Sequence, residues 1–189
     1  MENSISTMLL LIATLVIGIV ATGLAAFYAS NQYNISSLQS QAENIANGLY
    51  ISVGNTVNTT VNTQTTFVTV YDFSYQGQLY FTAFYVPSVI KNSSSEITPQ
   101  FAYTVNGQIV YPEVTVGNSI PPNLSVNILY YTDLNLMYQG SPVTLWQTPS
   151  LTSPLEISLT MSPPQGYSVI LLFFAKIQNK YIEVGYILL

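Results

Sequence analysis

An unbroken apolar run from Met8 to Tyr28 passes directly into an amphipathic segment, with no charge, proline or turn between them. This stretch limits what the whole chain can become. The run holds about 21 uncharged residues, which at roughly 1.5 Å each is enough to cross a hydrocarbon layer of about 30 Å. A secretory leader fits poorly, because leaders carry a basic region before a shorter apolar core of about 7 to 15 residues. Met1 to Thr7 contain no Lys or Arg and one acid, Glu2. The segment is therefore expected to stay with the working protein and to be surrounded by something apolar.

The helical period continues beyond the run. Ile35, Leu38, Ala42, Ile45 and Leu49 alternate steps of three and four, so they form one narrow stripe, while Ser36, Ser37, Gln39, Ser40, Gln41 and Asn44 fill the other faces. Such a stripe lets a helix lie on another helix or on a sheet. Gly48 then offers a stop, as the residue type that accepts the left-handed conformation past a helix end. A helix from about Ile5 to Asn47 would be roughly 65 Å long, too long for a bilayer alone. Residues 1–48 are read as this helix, and residues 49–189 as a separate globular domain.

Within the apolar half, small residues recur every fourth position at Thr14, Gly18, Thr22, Ala26 and Ser30, with a second row at Ala21, Ala25 and Ala29. Hydrophobicity drives little association between helices in an apolar medium, and close packing of small residues takes its place. A five-member ladder is expected to pack against other copies of the helix. The bland alternative is that Gly and Ala are simply common in membrane helices.

Charge excludes several functions. Charged residues make up 6% of the chain, with three Lys, no Arg, no His and no Cys. No basic patch is available for nucleic acid. Without thiols or imidazoles there is no disulfide framework, no thiolate nucleophile and no Ser-His pair. The eight carboxylates, Glu2, Glu43, Asp72, Glu96, Glu113, Asp133, Glu156 and Glu183, are scattered. A glycosidase could use two of them, but no pair shares a motif. Asp72 and Asp133 read as solvated edge or turn residues. The expectation is a protein that is not an enzyme and has no catalytic residues, no cofactor and no metal.

The polar surface is instead built from Ser, Thr, Asn, Gln and Tyr, where an ordinary domain would be about one quarter charged. Uncharged groups keep their character at any pH, whereas carboxylates titrate near pH 4. An acid-exposed extracellular surface is the expectation that follows. Four glycosylation sequons occur, at Asn34, Asn58, Asn92 and Asn123, against roughly three expected by chance at this composition. They gain meaning only on an external chain, where covalent glycans would solubilise the surface. Tyr-rich stretches such as Tyr80 to Tyr85 could stack sugars, although Tyr is also a common strand residue.

From about Leu49 the period changes to two, and Val, Ile, Thr, Tyr and Phe dominate. Thr65–Tyr75 and Gln78–Val86 read as strands joined by a hairpin at Gln76-Gly77. Phe101–Val105 and Gln108–Tyr111 flank Asn106-Gly107, the strongest hairpin signal in the chain. Further runs lie at Leu124–Tyr131, Leu134–Tyr138, Val143–Trp146, Leu155–Met161, Val169–Gln178 and Tyr181–Leu189. Turn signals separate them at Pro121-Pro122, Gly140-Ser-Pro142, Pro163-Pro164-Gln-Gly166 and Asn179-Lys180. Ile170 to Phe174 is apolar on both faces, as a central strand requires. The fold expected is α+β, a long N-terminal hydrophobic helix followed by an all-β antiparallel, immunoglobulin-like sandwich.

The segment Ile5–Ala29 (ISTMLLLIATLVIGIVATGLAAFYA), continued by an amphipathic half and a low-charge β-domain, resembles archaeal type IV pilins and archaellins. In that family a prepilin peptidase removes a short basic leader and the apolar helix is retained. The resemblance implies a subunit that waits in the cytoplasmic membrane and then joins an extracellular homo-oligomeric helical filament. Bundled helices form the core of such a filament, and β-domains form its shell. Adhesion, motility and surface attachment are the roles it implies. The same plan also occurs in membrane-anchored relatives, accessory proteins of the archaellum base among them, and an anchored accessory protein or adhesin is the alternative.

Overall fold

The helical period from the N-terminus is realised as one uninterrupted α-helix, α1, over Glu2–Gly48. It gives way without a loop to the first of eleven strands among the described residues. The computed structural model describes residues 2–60, 62–92 and 97–189, with the side chains of residues 2, 3, 91 and 92 left aside. The chain divides into two compact units, 1–38 and 39–189. The first unit is helix alone. The second contains the last ten residues of α1 and every strand, so the long apolar helix followed by a β-rich domain is the architecture of this chain.

In the second unit the strands are β1 (Leu49–Thr60), β2 (Thr63–Asp72), β3 (Gln78–Pro87), β4 (Thr104–Val105), β5 (Gln108–Ile109), β6 (Glu113–Val116), β7 (Asn123–Tyr130), β8 (Leu136–Ser150), β9 (Leu155–Met161), β10 (Tyr167–Ile177) and β11 (Lys180–Leu188). Four of them form an antiparallel sheet in the order β1-β2-β9-β6. Five more, β10-β11-β7-β8-β3, curl until β3 meets β10 and the ring closes. One pairing in the ring is parallel, Ile182 opposite Tyr130; the other strand pairings among the described residues are antiparallel. The expected α+β class with antiparallel sheets is the class observed, and one of its two layers is rolled into a barrel.

Burial explains why two layers are needed. Phe84, Val86, Leu145, Ile170, Leu172 and Phe174 fill the barrel interior together with Leu129 and Val143. The alternate residues of the same strands, Phe81, Ala83, Leu171, Phe173 and Ala175, are equally buried. Strands apolar on both faces need cover on both. The four-stranded sheet meets that need with Val68, Val70, Val114, Ile157 and Leu159, all buried.

Four local readings change in three dimensions. Gln76-Gly77 is not a hairpin turn: β2 pairs with β1 and β9, β3 with β8 and β10, so the connection crosses between layers. Asp72 redirects the chain there, its Oδ1 accepting from Ser74 N at 2.7 Å, Ser74 Oγ at 2.9 Å and Tyr75 N at 2.9 Å. Gly140-Ser141-Pro142 does not separate two strands but bulges out of the single strand β8, because β7 pairs with both flanks and skips only Asn127 between them. Tyr138 Oη donates to Ser141 O at 2.9 Å, and a side chain at Gly140 would strike that ring. The run from Phe101 begins as a short 3-10 turn, Pro99–Phe101, with Thr98 Oγ1 accepting from Gln100 N. Strand β1 adds a twelve-residue element that the Asn and Thr of its outer half obscured. Cross-strand hydroxyl pairs, Thr56 with Thr66 at 3.0 Å and Thr59 with Thr65 at 3.1 Å, help hold it. Asn106-Gly107 is the tight turn expected between β4 and β5, with φ of 53° and 76°.

Candidate functional site

An apolar run can lie inside a fold or on its surface, and here it lies on the surface. No part of the most apolar 18-residue window of α1, mean hydropathy 2.6, is buried within the chain. Thirteen large apolar side chains from Ile5 to Phe27 are 49 to 73% exposed. Burying one such side chain is worth about 1.5–3 kcal/mol, so leaving the set in water would cost on the order of 20–40 kcal/mol. That exceeds the roughly 5–15 kcal/mol net stability of a whole domain. An apolar surrounding would offset that cost, and the helix has the length and composition to cross a bilayer.

The small-residue rows lie on this uncovered helix, and Thr14, Gly18, Thr22, Ala26, Ser30, Ala21, Ala25 and Ala29 are all exposed. Their polar members are partly neutralised from within. Thr14 Oγ1 donates to Leu11 O at 2.9 Å, and Thr22 Oγ1 donates to Gly18 O at 2.7 Å. Back-bonding of this kind lets a hydroxyl sit in an apolar medium without an unmet donor. A side chain added at Gly18 or Gly23 would meet nothing within 4 Å in this chain. These glycines are therefore not needed for contacts inside the monomer.

The amphipathic stripe behaves differently along its length. Ile35 is 38% exposed, Leu38, Ala42 and Ile45 are buried, and Leu49 is half-buried. Within the second unit Gln41, Asn44 and Ile45 share a shallow cleft with Tyr75, Lys176, Ile177 and Gln178, which places the helix end beside the β10–β11 turn. The carbonyls left over at that end are met by the sheet: Phe73 N donates to Gly48 O and Ser74 Oγ to Asn44 O, both at 3.3 Å. Gly48 ends the helix for a reason other than the left-handed conformation expected, since its φ is not positive. A side chain there would collide with Ser74 Oγ and Asp72 Oδ1.

Of the acidic residues singled out, Asp133 sits in an exposed turn, its carboxylate accepting from Asn135 N at 2.9 Å and Asn135 Nδ2 at 2.6 Å. Asp72 is the last residue of β2, where it caps the crossover, and it is not solvated. It is 1% exposed, and its Oδ2 has no partner among the described residues. Among the described residues no three His, Cys, Asp or Glu side chains gather. Three sequon asparagines, Asn34 on α1, Asn58 on β1 and Asn123 at the start of β7, are exposed. The side chain of Asn92 and the Ser93–Glu96 stretch that follows lie outside the described residues.

No family model matches the chain, and no curated protein or solved structure is significantly similar to it.

Proposed function

We propose that this protein is the structural subunit of an extracellular filament of the archaeal type IV pilus kind, held in the cytoplasmic membrane by α1 before assembly. The observation that carries this reading is the uncovered apolar surface of α1, joined without a loop to a β-domain that has already buried its own core. In a bilayer that surface is covered by lipid. In a filament the same surface is covered by helices of neighbouring copies, so burial is kept while packing contacts between small residues are gained. Assembly is then a transfer between two apolar surroundings and requires neither catalysis nor a cofactor. The uncharged polar exterior suits an outward-facing shell, and Asn34, Asn58 and Asn123 offer exposed positions for glycans.

A membrane-anchored accessory protein or adhesin is the second reading, favoured by the near-equality of the Met8–Tyr28 run to one bilayer thickness. Electron microscopy of purified cell-surface filaments, with mass spectrometry of their subunit, tests the choice. The filament reading expects this chain as the major component. Its confinement to the membrane fraction of cells that carry filaments made of another protein would overturn that reading.

A further inference from the structure

The assembly reading leaves the far end of the β-domain unexplained. There a cleft of about 460 Å³ opens between the four-stranded sheet and the β4–β5 hairpin, walled by Tyr85, Tyr103, Tyr111, Glu113, Thr160 and Ser162. We propose that this cleft is a binding site for a neutral saccharide. The proposal rests on the β-domain alone and stands or falls separately from how α1 is covered.

The aromatic walls are held in place before any ligand arrives. Tyr103 meets the edge of Tyr167 with centroids 5.1 Å apart, and its backbone is tied on both sides, N to Tyr85 O at 2.8 Å and O to Val110 N at 3.0 Å. Tyr111 meets Trp146 edge-on at 5.5 Å, and its Oη accepts from Thr144 N at 2.9 Å. Rings fixed in this way lose little freedom on binding. They offer flat apolar faces with polar rims, matching the C–H faces and equatorial hydroxyls of a pyranose.

The polar groups select the ligand further. Tyr85 is 3% exposed, and its Oη accepts from Ser162 N at 3.1 Å. No described residue accepts its own proton, so that O–H remains to donate to a ligand oxygen. Glu113, opposite Thr160 in the register, contributes only acceptors. Among the described residues no Lys lines the cleft, so an anionic sugar or a phosphate would face the Glu113 carboxylate without a described cation to offset it. A polyhydroxyl ligand supplies donors to Glu113 and acceptors to Tyr85 at once. A proline-rich peptide, the other usual occupant of a tyrosine-lined groove, offers few donors and would leave Glu113 desolvated and unpaired.

The full-length chain can be tested in a detergent without a sugar headgroup, using the fluorescence of Trp146, its single tryptophan and the neighbour of Tyr111. Maltotriose, mannotriose and N,N′-diacetylchitobiose serve as probes. At least one is expected to give a saturable change with a Kd of about 1 mM or tighter. Tyr103→Ala is expected to weaken it about tenfold or more. Glu113→Gln, which keeps the shape of the cleft, is expected to weaken it as well, whereas Tyr50→Ala on distant β1 leaves it unchanged. An unaltered emission maximum in ligand-free variants verifies the fold. The proposal is overturned by no saturable change with any of the three, by equal affinity in Glu113→Gln, or by a proline-rich peptide that binds where the sugars do not.

Discussion

The two units of this chain use apolar residues in opposite ways. Residues 1–38 present Leu9, Leu10, Ile17, Leu24 and Phe27 almost bare, whereas residues 39–189 bury Phe81, Phe84, Phe173 and Phe174 completely. Backbone hydrogen bonding explains why both can exist in one protein. A helix satisfies its N–H and C=O groups from within, so it is complete before anything covers its side chains. A strand is satisfied only by its neighbours, so its apolar residues are enclosed by the same pairings that form it. An apolar surface left uncovered by its own chain can therefore be carried by a helix, whereas a self-contained apolar core can be built from strands.

The hardest blow to this comparison falls on the helix. Gly18→Leu has free space in the monomer and improves intrinsic helix propensity by nearly 1 kcal/mol, so bilayer insertion should survive it. In a bundle the same side chain overpacks at about 1–3 kcal/mol per site, repeated in every subunit. Filaments seen by electron microscopy should disappear while membrane-bound chain accumulates. Leu11→Ile, nearly equal in volume, should leave filament yield intact. Normal yield from the glycine variant would remove the bundle and favour the anchor.

In the β-domain the corresponding strike is Phe174→Ala. It empties a fully buried position inside the barrel and should cost about 3–5 kcal/mol. The loss should appear as a lowered β-sheet melting temperature by circular dichroism, with membrane insertion of α1 unchanged. A parallel fall in insertion would mean that the two units are not energetically separable.

The junction should respond less. Gly48→Ala forces a methyl onto Ser74 Oγ and Asp72 Oδ1, and a disturbed turn with a buried carboxylate should lose about 1–3 kcal/mol in denaturant unfolding. Unchanged stability would show that the Asp72 turn yields without penalty.

Smaller and opposite in sign is Thr82→Val. Thr82 Oγ1 is buried and without a partner among the described residues, so replacing the hydroxyl with a methyl should stabilise the domain by about 1 kcal/mol. A destabilised variant would point to a bound water at that hydroxyl.

The least effect at ordinary pH comes from tyrosine ionisation. Burial pushes the hydroxyls of Tyr75, Tyr85 and Tyr138 above the usual value of 10.0. The unfolded chain thus releases these protons before the folded one does. Their contribution to stability is fully present below pH 10 and is lost as pH rises through the folded values. Melting temperature should be insensitive to these groups at neutral pH and fall above about pH 10. Single Phe replacements should flatten that fall.

Much of the molecule can be read directly from the order of its residues, because a period of 3.6 or 2 marks faces using neighbours in the chain alone. The helix through Gly48, its bare apolar half, most of the strands and the Asn106-Gly107 turn are all local in this sense. What required the tertiary structure depends on residues far apart. Gln76-Gly77 resembles a hairpin, yet β9 and β10 claim its two strands for different layers. Gly140-Ser-Pro142 has the composition of a turn, but an unbroken partner in β7 carries the ladder past it as a bulge. Asp72 looks like an ordinary surface acid until the helix end and the crossover close over it, and Gly48 is required by the space which that closure leaves. The tyrosine cleft is assembled from β2, β3, the β4–β5 hairpin, β6 and β9, so no run of sequence contains it. Periodicity is written between adjacent residues, whereas pairing and enclosure are set by long-range contacts that the completed fold alone brings together.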